Sequence, residues 1–281
     1  MAQSAQVHLG GGVSAEPSPA DAAGDDVKAC CARSYQSDVV ALMLGESYHP
    51  GGLELTRRLA RSMDLRAGQQ VLDIASGPGT TAFLLAADFD VRVHGVDLGE
   101  AAVAKANARA AEQGVDDRVR FSVGDAERLP VDDATFDAVV CECAFCTFPD
   151  KPTAAAEMAR VLRPGGRLGI TDVALDPARL DAELASLAGW VACLADARPL
   201  EEYCDLLSAA GLRVGLTESH DDALARMIDQ IDARLVAFKM AGVAALESID
   251  FDQARRRVAL AAQAVADGIA GYKLLVAEKP A

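Results

Sequence analysis

The chain has 281 residues with 27 Lys+Arg against 42 Asp+Glu, a formal net charge of −15. That length supports a sizeable core, and 51% hydrophobic with 25% charged residues is a globular rather than a disordered profile. So acidic a balance argues against nucleic acid as a partner, because phosphate binding needs clustered Lys and Arg. No apolar run reaches the roughly 18 residues of a bilayer span, and the N-terminus lacks the basic and apolar regions of a secretory signal. A cytoplasmic location away from membranes is expected. The seven cysteines (Cys30, Cys31, Cys141, Cys143, Cys146, Cys193 and Cys204) are then expected as thiols. No CxxC pair is matched by a second pair or by HxxxH, so a structural zinc site is not indicated.

In chain order, residues 1–26 are rich in Gly, Ser, Ala, Pro and Asp without periodicity and read as a mobile tail. Residues 27–66 read as an N-terminal helical cap segment. It turns at His49-Pro50-Gly51-Gly52 and then runs as a helix over Leu53–Met63, with Leu53, Leu55, Leu59 and Met63 at spacings of two to four residues. Over 67–176 short apolar runs alternate with helical patterns. The expected strands are Gln70–Ile74, Val91–Val96, Val119–Val123, Ala138–Cys141 and Leu168–Val173. The expected helices are Thr80–Ala87, Glu100–Gln113 and Thr153–Leu162, the last stopped by Arg163-Pro164-Gly165-Gly166. Over 177–281 helices are expected at Leu180–Leu194, Glu201–Ala210, Ala223–Ala241 and Phe251–Ala266. Strands are expected at Gly211–Glu218 and Tyr272–Glu278. This alternation predicts a doubly wound, Rossmann-like α/β fold. Its seven-stranded sheet should be mostly parallel with an antiparallel C-terminal strand. The last helical pair is a candidate lid over an acceptor region.

Gly77-Pro78-Gly79-Thr80-Thr81-Ala82 fits the G-x-G-x-x-G/A spacing of nucleotide-binding turns, in which glycines admit a ligand close to backbone N–H groups. Asp73 lies in the strand just before it, where a carboxylate repels a pyrophosphate but suits an ammonium group. Asp97 ends the second strand, where an acid can accept from ribose hydroxyls, and Asp125 follows the third, where it can accept from an adenine amino group. Three acids at successive strand ends mark the carboxyl rim of the sheet as a ligand site.

The segments VLDIASGPGT (71–80), VHGVDLG (93–99), VGDAERLP (123–130), FDAVVCE (136–142) and LRPGGRLGITD (162–172) resemble the class I S-adenosylmethionine-dependent methyltransferases. The resemblance implies S-adenosyl-L-methionine as cofactor. It places Asp73, Gly77 and Gly79 at the methionine part, Asp97 at the ribose, and Asp125 with Ala126 at the adenine. Ala75, Leu98 and Cys141 complete the expected cofactor set.

After the fourth strand, Cys141-Glu142-Cys143-Ala144-Phe145-Cys146 leads to Asp150-Lys151, and Cys193-Leu194 precedes Ala210-Gly211-Leu212. This layout resembles the arsenite methyltransferase family. It implies Cys143 and Cys193 as a thiolate pair for trivalent arsenic, with Cys146, Cys30 or Cys31 as third ligand. Thiolates suit such a soft acceptor, and its lone pair attacks without a general base. The chain departs from that family just after the glycine loop, where Thr81, Phe83 and Leu84 stand instead of a cysteine. Free cysteines also serve as small hydrophobes, the better reading of Cys141 and Cys204. His49 and Tyr35 are second-tier candidates for shaping an acceptor pocket.

Three functions follow from these readings. The first is methylation of arsenite or a similar thiophilic species. The second is methylation of an oxygen, nitrogen or carbon of a small organic molecule, for which no positioned acid or base stands out in the sequence. The third is non-catalytic sensing of the cofactor or a metalloid.

Overall fold

The computed structural model describes residues 28, 42–45, 48–185, 196–241 and 250–281. Cys30, Cys31, Tyr35 and Cys193, the 1–26 segment and most of the expected 180–194 helix lie outside the described residues.

The first long helix, α1 (Gly52–Ser62), starts at Gly51, which takes a left-handed backbone, φ 79°. It buries Leu55, Thr56, Leu59 and Ala60 against the sheet. The approach is close: a Cβ at Gly169 of the sheet would lie 2.5 Å from Met63 Sδ and 2.9 Å from Leu59 Cδ1. Each buried leucine here contributes about 1.5–3 kcal/mol, which fixes the residues at the head of the helix over the carboxyl rim.

Strands β1 (Gln70–Ile74), β2 (Arg92–Asp97), β3 (Val119–Val123), β4 (Phe136–Glu142) and β5 (Leu162–Leu175) alternate with helices α2 (Thr80–Phe89), α3 (Glu100–Glu112) and α4 (Lys151–Val161). Beyond β5 come a short α5 (Ala182–Ala185), α6 (Leu200–Ala209), β6 (Arg213–Ser219), α7 (Asp221–Ala241), α8 (Phe251–Ala266) and β7 (Ala270–Glu278). The sheet order is β3-β2-β1-β4-β5-β7-β6. β1 to β5 pair in parallel, and β7 runs antiparallel to both neighbours. This is the doubly wound seven-stranded sheet that the alternation predicts. The interior strands are apolar along their length, because helices cover both faces. α1, α2 and α3 pack on one face, while α4 and α6 with Tyr203 and Leu207 pack on the other.

The fifth strand begins at Leu162 rather than Leu168. The Arg163-Pro164-Gly165-Gly166 turn is a loop inside the strand: Phe136 pairs with Leu162 and Ala138 with Arg167. Gly165 N and Gly166 O bond the backbone of Lys279, so the edge of β7 holds the turn in place. The fourth strand extends to Glu142, which brings that carboxylate to the strand's carboxyl end.

The chain runs outward from β1 to β3 and returns to place β4 on the other side of β1. Open α/β sheets bind ligands at this reversal, outside the carboxyl ends of the strands. Asp73 in β1 and Glu142 in β4 face that crevice.

Candidate active site

One cavity of about 320 Å³ opens at the crevice. Asp73, Ala75, Gly77, Asp97, Leu98, Asp125 and Ala126 all line it, so seven of the nine expected cofactor residues share a wall. Gly79 and Cys141 do not. Gly79 lies behind the loop at φ 81°, where a Cβ would come 2.4 Å from Phe121 Cζ, so its smallness serves helix packing. Cys141 is fully buried among Ile74, Val96 and Leu129, its thiol pushed well up by burial.

Asp73 is 2% exposed and carries a buried oxygen, Oδ2, with no hydrogen-bond partner. Burial first, then Glu142 and Asp97, drive its pKa well above the ordinary carboxylate value. A buried carboxylate without a cation is costly, and the ammonium group of an amino acid answers that need. Asp97 is held differently. Its Oδ2 accepts from Gly77 N at 2.8 Å and its Oδ1 from Gly99 N at 2.7 Å, tying the glycine loop to the end of β2. Each carboxylate oxygen keeps a second lone pair, and burial raises the pKa of this group too. Asp125 accepts from Glu127 N at 2.9 Å and from Lys28 Nζ at 2.8 Å. Lys28, which also pairs with Glu127, was not foreseen: no motif in the sequence links it to the third strand.

The cavity lining also includes Tyr48, His49, Thr81, Glu142, Cys143, Thr147 and Phe148. Glu142 is the centre of a hydrogen-bonded group. Thr81 Oγ1 donates to its Oε2 at 2.6 Å, Thr56 Oγ1 to the same atom at 3.0 Å, and Thr171 Oγ1 to Oε1 at 3.4 Å. His49 Nε2 stands 3.7 Å from Oε2. The sequence offers no sign of this group, because its members come from distant parts of the chain. The group sets a carboxylate close to an imidazole, an arrangement that no spacing in the sequence indicated.

Of the expected arsenic ligands, Cys143 lines the cavity, in a left-handed backbone conformation (φ 53°) that is strained for a residue with a Cβ. Cys146 is 0% exposed and packs in the core, its backbone N donating to Asp172 at 2.9 Å. Among the described residues, no group of three or more His, Cys, Asp and Glu side chains is placed to hold a metal ion.

Residues 71–166 match the model of a methyltransferase domain. The 27-O-demethylrifamycin SV methyltransferase of Amycolatopsis mediterranei is 33% identical over 262 residues, which cover 87% of this chain and 94% of that one. The chain belongs to the class I S-adenosylmethionine-dependent methyltransferases. A phosphoethanolamine N-methyltransferase of Triticum aestivum is 29% identical over 75% of this chain, which spans only 42% of that protein. Among solved structures, the cyclase SpnF superposes with a TM-score of 0.64 at 29% identity, covering 81% of each chain. A Haemonchus contortus phosphoethanolamine N-methyltransferase 2 in complex with S-adenosyl-L-methionine gives 0.75 at 21% identity and shares the fold, covering 91% of this chain and 60% of that one. This methyltransferase uses S-adenosylmethionine, and the buried, unpaired Asp73 oxygen in its cavity fits that cofactor's amino group. Among the described residues no helix is long and apolar enough to cross a membrane.

Proposed function

We propose that this enzyme methylates a small organic molecule, held between the cofactor and the wall formed by Tyr48, His49, Cys143, Thr147 and Phe148. The observation that carries the reading is the full-length relation to an enzyme whose name specifies an organic acceptor, 27-O-demethylrifamycin SV. The thiophilic alternative has less support. Of the expected thiolates among the described residues, Cys143 lines the cavity and Cys146 is buried in the core, while Cys30, Cys31 and Cys193 lie outside the described residues.

In this reading Asp73 holds the cofactor's ammonium group, Asp97 accepts from the ribose hydroxyls, and Asp125 with Ala126 borders the adenine. The cofactor supplies an activated methyl group on a sulfonium centre. The protein supplies position, which is worth most when the two reactants are held in line. Phe148 and Tyr48 give the acceptor an apolar border, and the adjoining β4–α4 loop is pinned by Lys151, whose Nζ donates to Phe148 O at 3.0 Å. The test is to incubate the enzyme with S-adenosylmethionine and, separately, 27-O-demethylrifamycin SV, phosphoethanolamine and arsenite. Mass spectrometry and release of S-adenosylhomocysteine give the readout. A methylated organic product is expected; methylated arsenic alone would overturn the reading.

A further inference from the structure

We propose that Lys28 is a positioning residue for the cofactor's adenine: its ammonium group fixes the Asp125 carboxylate in the orientation that accepts from the adenine amino group. The inference rests on the placement of adenine beside Asp125 and Ala126 made above.

Asp125 opens a tight turn after β3. Arg128 N donates to Asp125 O at 3.0 Å, and Glu127 N donates to the side-chain Oδ1 at 2.9 Å. An aspartate that accepts from the backbone two residues on is ordinary turn chemistry, and it settles one oxygen only. The side chain is 33% exposed, so local structure alone would let Oδ2 swing between the cavity and water. Lys28, 97 residues earlier in the chain, takes that oxygen, its Nζ donating at 2.8 Å.

Lys28 is held in turn. Its Nζ also pairs with Glu127 Oε2, and the other oxygen of Glu127 accepts at 2.8 Å from the backbone N of Asp150, the N-cap of α4. Burial lowers the lysine pKa, but hydrogen bonds and charge from Asp125 and Glu127 more than offset it and set the pKa above its ordinary value, which keeps the group an ammonium ion. Lys28 and Asp125 line the cavity, whereas Glu127 is not part of its lining. Glu127 therefore acts on a ligand there through its neighbours.

An ionised carboxylate offers about four lone pairs. Glu127 N and Lys28 Nζ use one each, on different oxygens, and each oxygen keeps one for a donor in the cavity. The amino group of adenine is such a donor. A carbonyl at the same ring position is not, and it would face the carboxylate acceptor to acceptor. A carboxylate fixed at both oxygens meets the amino group already oriented, and this preorganisation converts one hydrogen bond into selectivity for the ring.

The test is calorimetry of the full chain with S-adenosylhomocysteine and with S-inosylhomocysteine, which carries a ring carbonyl in place of the amino group. Wild type should favour the adenosyl compound by about thirtyfold, the worth of a hydrogen bond to a charged group. Lys28→Met should cut that preference to about threefold while the inosyl compound binds as before. Lys28→Arg, which keeps the charge and the donors, should restore most of it. Glu127→Gln should reduce it by a smaller factor, and Asp125→Ala should lose it. A preference that Asp125→Ala loses but Lys28→Met keeps or widens would overturn the role of Lys28, as would equal weakening of both compounds by Lys28→Met. No preference in wild type, or one that survives Asp125→Ala, would instead overturn the placement of adenine beneath it.

Discussion

The two walls of the cavity hold their carboxylates in opposite ways. On the cofactor wall, Asp73 is buried with one oxygen unpaired, and Asp97 is bound by backbone N–H groups of loops close by in sequence, Gly77 and Gly99. At the end of β4, Glu142 accepts from side-chain hydroxyls, one of them 86 residues away in the chain, and lies close to a histidine. The difference teaches which group awaits a ligand. An unsatisfied buried carboxylate gains from a cation brought in from outside, whereas a satisfied one serves to orient its neighbour.

The largest expected effect acts on the packing behind the glycine loop. Gly79→Ala places a Cβ 2.4 Å from Phe121 Cζ at a φ of 81°. Overpacking with left-handed strain should destabilise the fold by about 2–5 kcal/mol, read by urea unfolding. Asp97→Ala should follow: it removes an acceptor for ribose hydroxyls and two bonds to loop backbone. We expect roughly 1.5–3 kcal/mol of lost cofactor affinity by calorimetry, while unchanged affinity would place the ribose elsewhere.

Asp73→Asn sharpens the comparison through pH. Because the folded pKa lies above the ordinary value of 3.8, folded protein keeps a proton that the unfolded chain has already lost. Stability without cofactor should therefore fall as pH rises from about 4 through the folded pKa, and saturating cofactor should offset that loss. Asp73→Asn should flatten this limb of the stability curve, leaving a smaller part from Asp97, whose pKa is raised for the same reason. The smallest effect belongs to Cys204→Ser, half-buried on α6 and away from both walls, which should change stability by no more than about 0.5 kcal/mol.

The rim that carries Asp73, Asp97 and Asp125 was legible in the sequence because each acid lies in or just after a local apolar run. Apolar runs ending in Asp73, Asp97 and Asp125 fixed both the strands and the rim on which those acids meet. What the sequence hid are contacts across the fold. Glu142 sat one residue past the expected end of β4, in a cysteine-rich stretch that drew attention to the thiols. Its threonine partners are ordinary residues of three separate elements, and hydrophobic periodicity carries no information about which hydroxyls converge. Cys146 shows the converse: its spacing fitted a ligand, but the 3₁₀ turn Phe145–Thr147 turns it into the core, where it is a small hydrophobe.

The most direct test of this account is calorimetry of S-adenosylmethionine and of an analogue lacking the α-amino group, on wild type and Asp73→Asn. The account predicts that wild type prefers the natural cofactor by about a hundredfold, roughly 2.7 kcal/mol, and that Asp73→Asn binds both alike. Equal loss of the analogue's affinity in wild type and variant would contradict it, because the cofactor's ammonium group would then not be what Asp73 holds.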